Sequence, residues 1–260
     1  MARLWNSDGR FQWLAIFAFL MVGSAGCSTT WDEVTSRNFH MRSIWERSDP
    51  MIVLHESTDG DARAKALRAL KEARANGGSE VEQDRMMEIL AQSAVSDPQP
   101  VCRLAAIETL GRFTDPRAVQ VLGAAFDAAP QLPREVAGAV QSAALTALGN
   151  TKQHSAIAIL VNTATKPLPA DAVDRDRNQA RDTRLAAVRA LKNFDGSPEV
   201  AAAMAQLIRT EKDPALYDRA HETYVKITGR EPPENLSAPP APSPIPPRDD
   251  VKLAGGTNGQ

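Results

Sequence analysis

Residues 97–126 read DPQPVCRLAAIETLGRFTDPRAVQVLGAAF. Ala106 and Ile107 are followed by Leu110, and Arg103 stands three places before Ala106, so these side chains recur at three- and four-residue steps along a helix. Asp115 then comes directly before Pro116. An oxygen able to cap backbone N–H groups thus precedes a residue whose missing N–H costs nothing in a first helical turn. Val119, Leu122 and Phe126 resume the helical step. The stretch predicts two amphipathic helices joined by a short turn.

The pattern recurs along the chain. Ala66-Leu67 with Leu70, Ala144-Leu145 with Leu148, and Ala187-Val188 with Leu191 reproduce it. Arg63 and Arg184 take the place of Arg103, and Gln141 takes it in the third copy. Ala220, His221 and Tyr224 form a weaker fifth copy. Second stripes follow: Met86, Ile89 and Leu90; then Ile157, Leu160, Val161 and Ala164; then Val200, Ala203, Met204, Leu207 and Ile208. Ser197-Pro198, Asp213-Pro214, Asp97-Pro98 and Asp49-Pro50 repeat the helix-start signal. No segment shows sustained period-two alternation, so no sheet is expected.

These residues resemble the HEAT repeat family, in particular the short type also found in phycobilin lyases. The similarity is strongest over Val101-Cys102-Arg103-Leu104-Ala105-Ala106-Ile107 and over Arg184-Leu185-Ala186-Ala187-Val188-Arg189-Ala190-Leu191, and it extends over residues 50–230. It implies an all-α fold, an α-α superhelix of about four to five helix pairs. Alanine lets neighbouring helices approach closely, and a repeat that cannot bury its apolar face alone must stack on its neighbours. A compact alanine-rich bundle is the alternative arrangement. The resemblance further implies a protein-binding scaffold or adaptor. An accessory enzyme of lyase-like or chaperone-like type, or a structural envelope component, is the other reading, because a fold does not establish a function.

Outside the array the composition changes. Arg3 and Arg10 precede an apolar run from Trp13 to Val22, too short to span a bilayer but suited to a signal peptide over residues 1–26. Ser24-Ala25-Gly26-Cys27 resembles the lipobox of bacterial lipoproteins, with Ser24 in place of the common Leu. That resemblance implies lipid attachment at Cys27, export, and an outer-membrane location facing the periplasm. Residues 27–49 are expected to form a tether, with Thr30-Trp31-Asp32-Glu33 as a capping box and Phe39, Met41, Ile44 and Trp45 available as an N-terminal cap on the array. Residues 231–260 carry eight of the 18 prolines and too few apolar side chains to bury a core, which predicts a disordered spacer.

The chemistry is mostly negative. A net charge of -2 and a pI near 6.1 argue against nucleic acid as a partner. His40, His55, His154 and His221 are scattered, which gives no ligand spacing for a metal. Two His-Glu pairs, His55-Glu56 and His221-Glu222, resemble half of the ligand set of deoxyhypusine hydroxylase but lie at opposite ends of the array. Gly77-Gly78 reads as a turn, and Cys102 reads as packing. No cofactor and no catalytic activity are expected. Arg63, Arg103 and Arg184 either form a ladder for an acidic partner or pair with acids at adjacent turns. The densest polar stretch runs from Asp171 to Asp182 and reads as a solvated inter-repeat loop. Its Arg175, Arg177 and Arg181 are the candidate contacts for a protein or peptide partner, with the membrane reached through the N-terminal lipid.

Overall fold

The computed structural model describes residues 49–168 and 173–233. The signal peptide, Cys27, the proposed cap and the proline-rich tail lie outside them. Ten α-helices occur among the described residues, and no strand. They are α1 (Pro50–Glu56), α2 (Gly60–Ala69), α3 (Glu80–Ser96), α4 (Pro100–Leu110), α5 (Arg117–Ala128), α6 (Arg134–Thr151), α7 (Ser155–Thr165), α8 (Asp174–Leu191), α9 (Pro198–Thr210) and α10 (Pro214–Thr228). The even-numbered helices pack on one another in succession, α2 to α4 to α6 to α8 to α10, and α3, α5, α7 and α9 do the same in a second layer. Every odd-numbered helix also packs on the even-numbered helix that follows it, which gives five helix pairs. This is the α-α solenoid that the repeated pattern predicts.

The recurring residues build the even layer. Ala66, Ala106, Ala144, Ala187 and Ala220 are all buried, as are Leu67, Ile107, Leu145 and Val188 beside them. Leu110, Leu148 and Leu191 reach zero exposure, and Leu70 is buried too. Each fully buried leucine contributes about 1.5–3 kcal/mol relative to an exposed one, so the register carries much of the core. In the odd layer Met87 and Gln83 face inward, whereas Met86 is only half-buried.

Neighbouring even helices meet through small residues at fixed places. A Cβ added to Gly111 would lie 2.9 Å from both Cα and Cβ of Ala147, and one added to Gly149 would lie 2.8 Å from the Ala190 carbonyl oxygen. Gly111 and Gly149 occupy one register position, five after the repeated alanine, and Ala147 and Ala190 occupy another, three after it. At the two remaining contacts the glycine is replaced by Lys71 or Lys192 and the second alanine by Thr109 or Thr223. There the threonine hydroxyl donates to the preceding even helix, Thr109 to the Leu67 carbonyl at 3.0 Å and Thr223 to the Val188 carbonyl at 3.5 Å. One crossing thus has two solutions, close backbone packing or a bridging hydroxyl.

Polar residues set the helix boundaries. Ser79 and Glu82 form a reciprocal capping box at α3, Ser197 caps α9, and Asp213 accepts from Ala215 and Leu216 at α10. Gly229, at φ 67°, ends α10 by donating to the Val225 carbonyl. Asp97-Pro98 departs from the expected start signal. Asp97 closes α3, and α4 begins at Pro100, because the Asp97 carboxylate is drawn to Arg63 at 2.6 Å and to the Gln99 N–H.

Asp115 is nearly buried and is gripped by Arg117, whose Nη2 lies 2.7 Å away, with Gln83 Nε2 donating at 3.0 Å. The Arg117 hydrogen bond holds its carboxyl well below the usual carboxylate range, with the Arg117 backbone and Gln83 adding to the effect against the opposing influence of burial. Such a depressed pKa contributes stability that is complete above the unfolded-state value and is lost as pH falls through the folded one. Asp115→Asn is therefore expected to flatten the loss of stability between about pH 5 and pH 2, read as urea midpoints across that range. An unchanged acid limb would show that Asp115 has no part in it.

Candidate interaction surface

Two helices of the even layer are longer than their neighbours. The register alanine lies six positions after the first helical residue in α2, α4 and α10, but ten after it in α6 and thirteen after it in α8. The amino-terminal turns of α6 and α8 are therefore additions to the common repeat. They are held to each other by Arg134, whose Nη1 lies 2.9 Å from Asp176 Oδ1, and by Gln179, which donates to Gln141 Oε1 at 3.4 Å. Asp174 and Asp176 in the first turn of α8 oppose the positive end of its dipole.

This placement corrects the reading of Asp171 to Asp182 as a loop. Residues 169–172 lie outside the described residues, but from Asp174 onward the stretch is helical. The three candidate arginines separate accordingly. Arg175 is exposed and lines a groove between α6 and α8, with Gly138 and Ser142 on one side and Asn178, Asp182 and Arg189 on the other. Arg177 is exposed and lies 3.9 Å from Asp174. Arg181 instead makes a two-toothed contact with Asp213, the residue that caps α10, and that bond lowers the Asp213 pKa. It bridges α8 to the start of α10 with its side chain partly exposed. Arg134, Gly138, Gln179 and Arg189 were not singled out by their type. The spacing from helix start to register alanine is the signal that finds them.

The alternative of an arginine ladder facing a partner does not hold. Arg63 pairs with Asp97, Arg103 donates from Nε to the Asp97 carbonyl at 2.6 Å, and Arg184 pairs with Glu211 while donating to the Ala164 carbonyl. Each of these three arginines fastens its repeat to a turn. The Arg184 and Glu211 side chains are only 8% and 10% exposed, so this is a buried ion pair.

The remaining reactive groups do not converge. Cys102 has zero exposure, its thiol sits 3.4 Å from the Gly60 carbonyl, and burial pushes its pKa up. Among the described residues no three His, Cys, Asp or Glu side chains gather where a metal ion could be held. His55, on α1, and His154, in the turn before α7, are both exposed and lie far apart in the array. Also among the described residues, no helix is long and apolar enough to cross a membrane.

Under the α6 and α8 extensions, on the side of α5 and α7, lies a cavity of about 560 Å³. Phe126, Pro130 and Leu132 form its apolar wall, and Gln141, Asn162 and Gln179 bring amide groups to it. No buried side-chain nitrogen or oxygen among the described residues lacks a hydrogen-bond partner. The array is thus internally satisfied.

Comparison with known families places these repeats. Residues 49–139, from α1 into the beginning of α6, match the family described as HEAT repeats. The register alanines and the layer packing continue without a break through α8 and α10. No curated protein matches the chain.

Proposed function

We propose that the chain is a non-catalytic protein-binding scaffold, held at the bacterial cell envelope by a lipid on Cys27 and exposed to the periplasm. The observation that carries the binding role is the paired extension of α6 and α8. Turns beyond the common repeat add little core, Ala137 buried and Val136 partly so, yet they build a groove on one side and a cavity on the other. A stack of helix pairs gives a rigid base for such a surface, because each pair is braced by its two neighbours. The anchor rests on the Ala25-Gly26-Cys27 sequence behind a short apolar run. Acyl chains contribute about 0.8 kcal/mol per buried methylene, so several of them hold a protein at a membrane without help from basic residues.

Two measurements test these parts separately. Cys27→Ala is expected to abolish incorporation of a labelled fatty acid and to move the protein into the soluble fraction. Retention in the membrane would remove the anchor from the proposal. A photo-crosslinking residue at Asn178, in the groove, is expected to capture a protein in native envelopes, whereas one at Asp218, on α10, is not. Capture that disappears on deleting residues 234–260 while the groove and the cavity remain intact would shift binding to the tail.

A further inference from the structure

The cavity beneath the α6 and α8 extensions lies where an ion-pair closure found in two other repeats is absent. In the first repeat, Arg63 on α2 pairs with Asp97, the residue that ends α3. In the fourth, Arg184 on α8 pairs with Glu211, the residue that ends α9. Each pair fastens an even helix to the far end of the odd helix after it. In the third repeat both members are changed. Gln141 stands at the arginine position of α6, and Lys166 ends α7 where the acid would be. An arginine facing that lysine would meet like charge, and glutamine is shorter as well as neutral. Openings of about 390 Å³ beside Arg63 and Asp97 and about 280 Å³ beside Arg184 and Glu211 border the intact pairs, and the cavity without a pair is larger, at about 560 Å³.

The groups around the opening define what fits it. Lys166, Arg134 and Arg184 supply positive charge, and Asp127 and Asp176 line the cavity with negative charge. Glu211, paired with Arg184, brings the carboxylates to the same number as the cations. Arg134 is already held by Asp176. Charge complementarity therefore asks for an uncharged occupant. Gln141, Asn162 and Gln179 come from three different helices, and an amide both donates and accepts. A peptide backbone alternates N–H and C=O and needs both functions, whereas an anion would need donors alone. Phe126, Pro130 and Leu132 then offer an apolar wall for one side chain. A volume of about 560 Å³ lies within the range of pockets that enclose a ligand of a few residues.

We propose that this cavity is a peptide site, taking a short, extended, uncharged segment of a partner protein with one apolar side chain against Phe126 and Leu132. The assignment rests on the scaffold reading and gives it a docking point. Gln141, Asn162 and Gln179 bond the backbone of the segment, and Phe126 selects its side chain.

The test restores the missing closure. In the double variant Gln141→Arg with Lys166→Glu, the pair found in two other repeats is rebuilt in the cavity. A phage-displayed library of random dodecapeptides is panned on the full chain, and enriched sequences are synthesised with a fluorophore for anisotropy titration. The expected result is a family of uncharged peptides sharing one apolar residue, bound at least tenfold more weakly by the double variant, whose unfolding midpoint is not lowered. Should that variant melt earlier, Asn162→Asp, at an exposed position, serves in its place with the same expected loss. Enriched peptides that bind wild type and variant alike, an acidic consensus, or binding of chitohexaose in place of any peptide would each overturn the assignment. Crosslinking in native envelopes separates the two levels. A partner captured equally by wild type and double variant leaves the scaffold reading standing and removes the cavity. No partner from the wild type removes the scaffold reading itself.

Discussion

Glu211→Ala is expected to lower stability by about 3–5 kcal/mol, the largest loss from any single charge in the array, because it strips the partner from a buried cation. Arg184 is 8% exposed and is fixed by two contacts, its Nε on the Ala164 carbonyl and its Nη2 on Glu211. Glu211 also accepts from the backbone N–H groups of Lys212 and Asp213, so it ties the end of α9 to the start of α10. Arg68 and Glu108 make the contrasting pair. They lie 2.9 Å apart, but their side chains are 42% and 54% exposed. Glu108→Ala is therefore expected to cost less than about 1 kcal/mol. Replacing both buried partners, Arg184→Met with Glu211→Leu, is expected to be milder than removing Glu211 alone, since no charge is then left uncompensated. Urea unfolding of the four proteins measures all of this. A Glu211→Ala variant within about 1 kcal/mol of wild type would show that water already reaches the pair.

The distribution of such pairs explains what could be read in advance. The alanine and leucine register was legible because every copy must bury the same face against the same neighbours, which imposes a helical period on the sequence. Within that register the choice between Met86 and Met87 was not legible. Adjacent methionines satisfy the period almost equally, and only the packing against α4 and α5 selects Met87. Asp171 to Asp182 was read as loop for a related reason. The first turns of α8 carry no apolar stripe, since they project past the common repeat, so the helical period that marks the other helices is absent from them. What holds them is polar: Arg134 on Asp176, Arg181 on Asp213, and acids at the helix start. The candidate surface was half visible for the same cause. Arg175 was reached through charge density, but the exchange of Arg for Gln141 gains meaning only beside Lys166, which the fold brings to the matching place.

Two glycines of one helix are expected to respond in opposite senses to the same substitution. Gly138 and Gly149 both lie in α6, where alanine is the better helix former by about 1 kcal/mol in an interior position. At Gly138 an added Cβ meets nothing nearer than Gln179 Nε2 at 4.0 Å, an ordinary contact with the tip of a flexible side chain. Gly138→Ala should therefore raise stability by about 0.5–1 kcal/mol. At Gly149 the same atom would fall 2.8 Å from the Ala190 carbonyl oxygen and 2.9 Å from its Cα, and backbone cannot turn aside. Helices α6 and α8 must then move apart, which costs about 1–3 kcal/mol of overpacking. Gly149 also lies close to the end of α6, where Lys152 donates to its carbonyl, so the propensity gain is smaller than at an interior site. The balance is a net loss of about 1–2 kcal/mol, or several degrees in a thermal melt of an array this long. Gly111→Ala, against Ala147 at 2.9 Å, is expected to follow Gly149. The double variant Gly149→Ala with Ala190→Gly should recover part of the loss, since it removes the Cβ on the facing side. If Gly149→Ala were instead as stabilising as Gly138→Ala, α6 and α8 could separate at no cost. Close contact between even helices would then not be what sets the spacing of the stack, and the recurrence of small residues would need another physical cause.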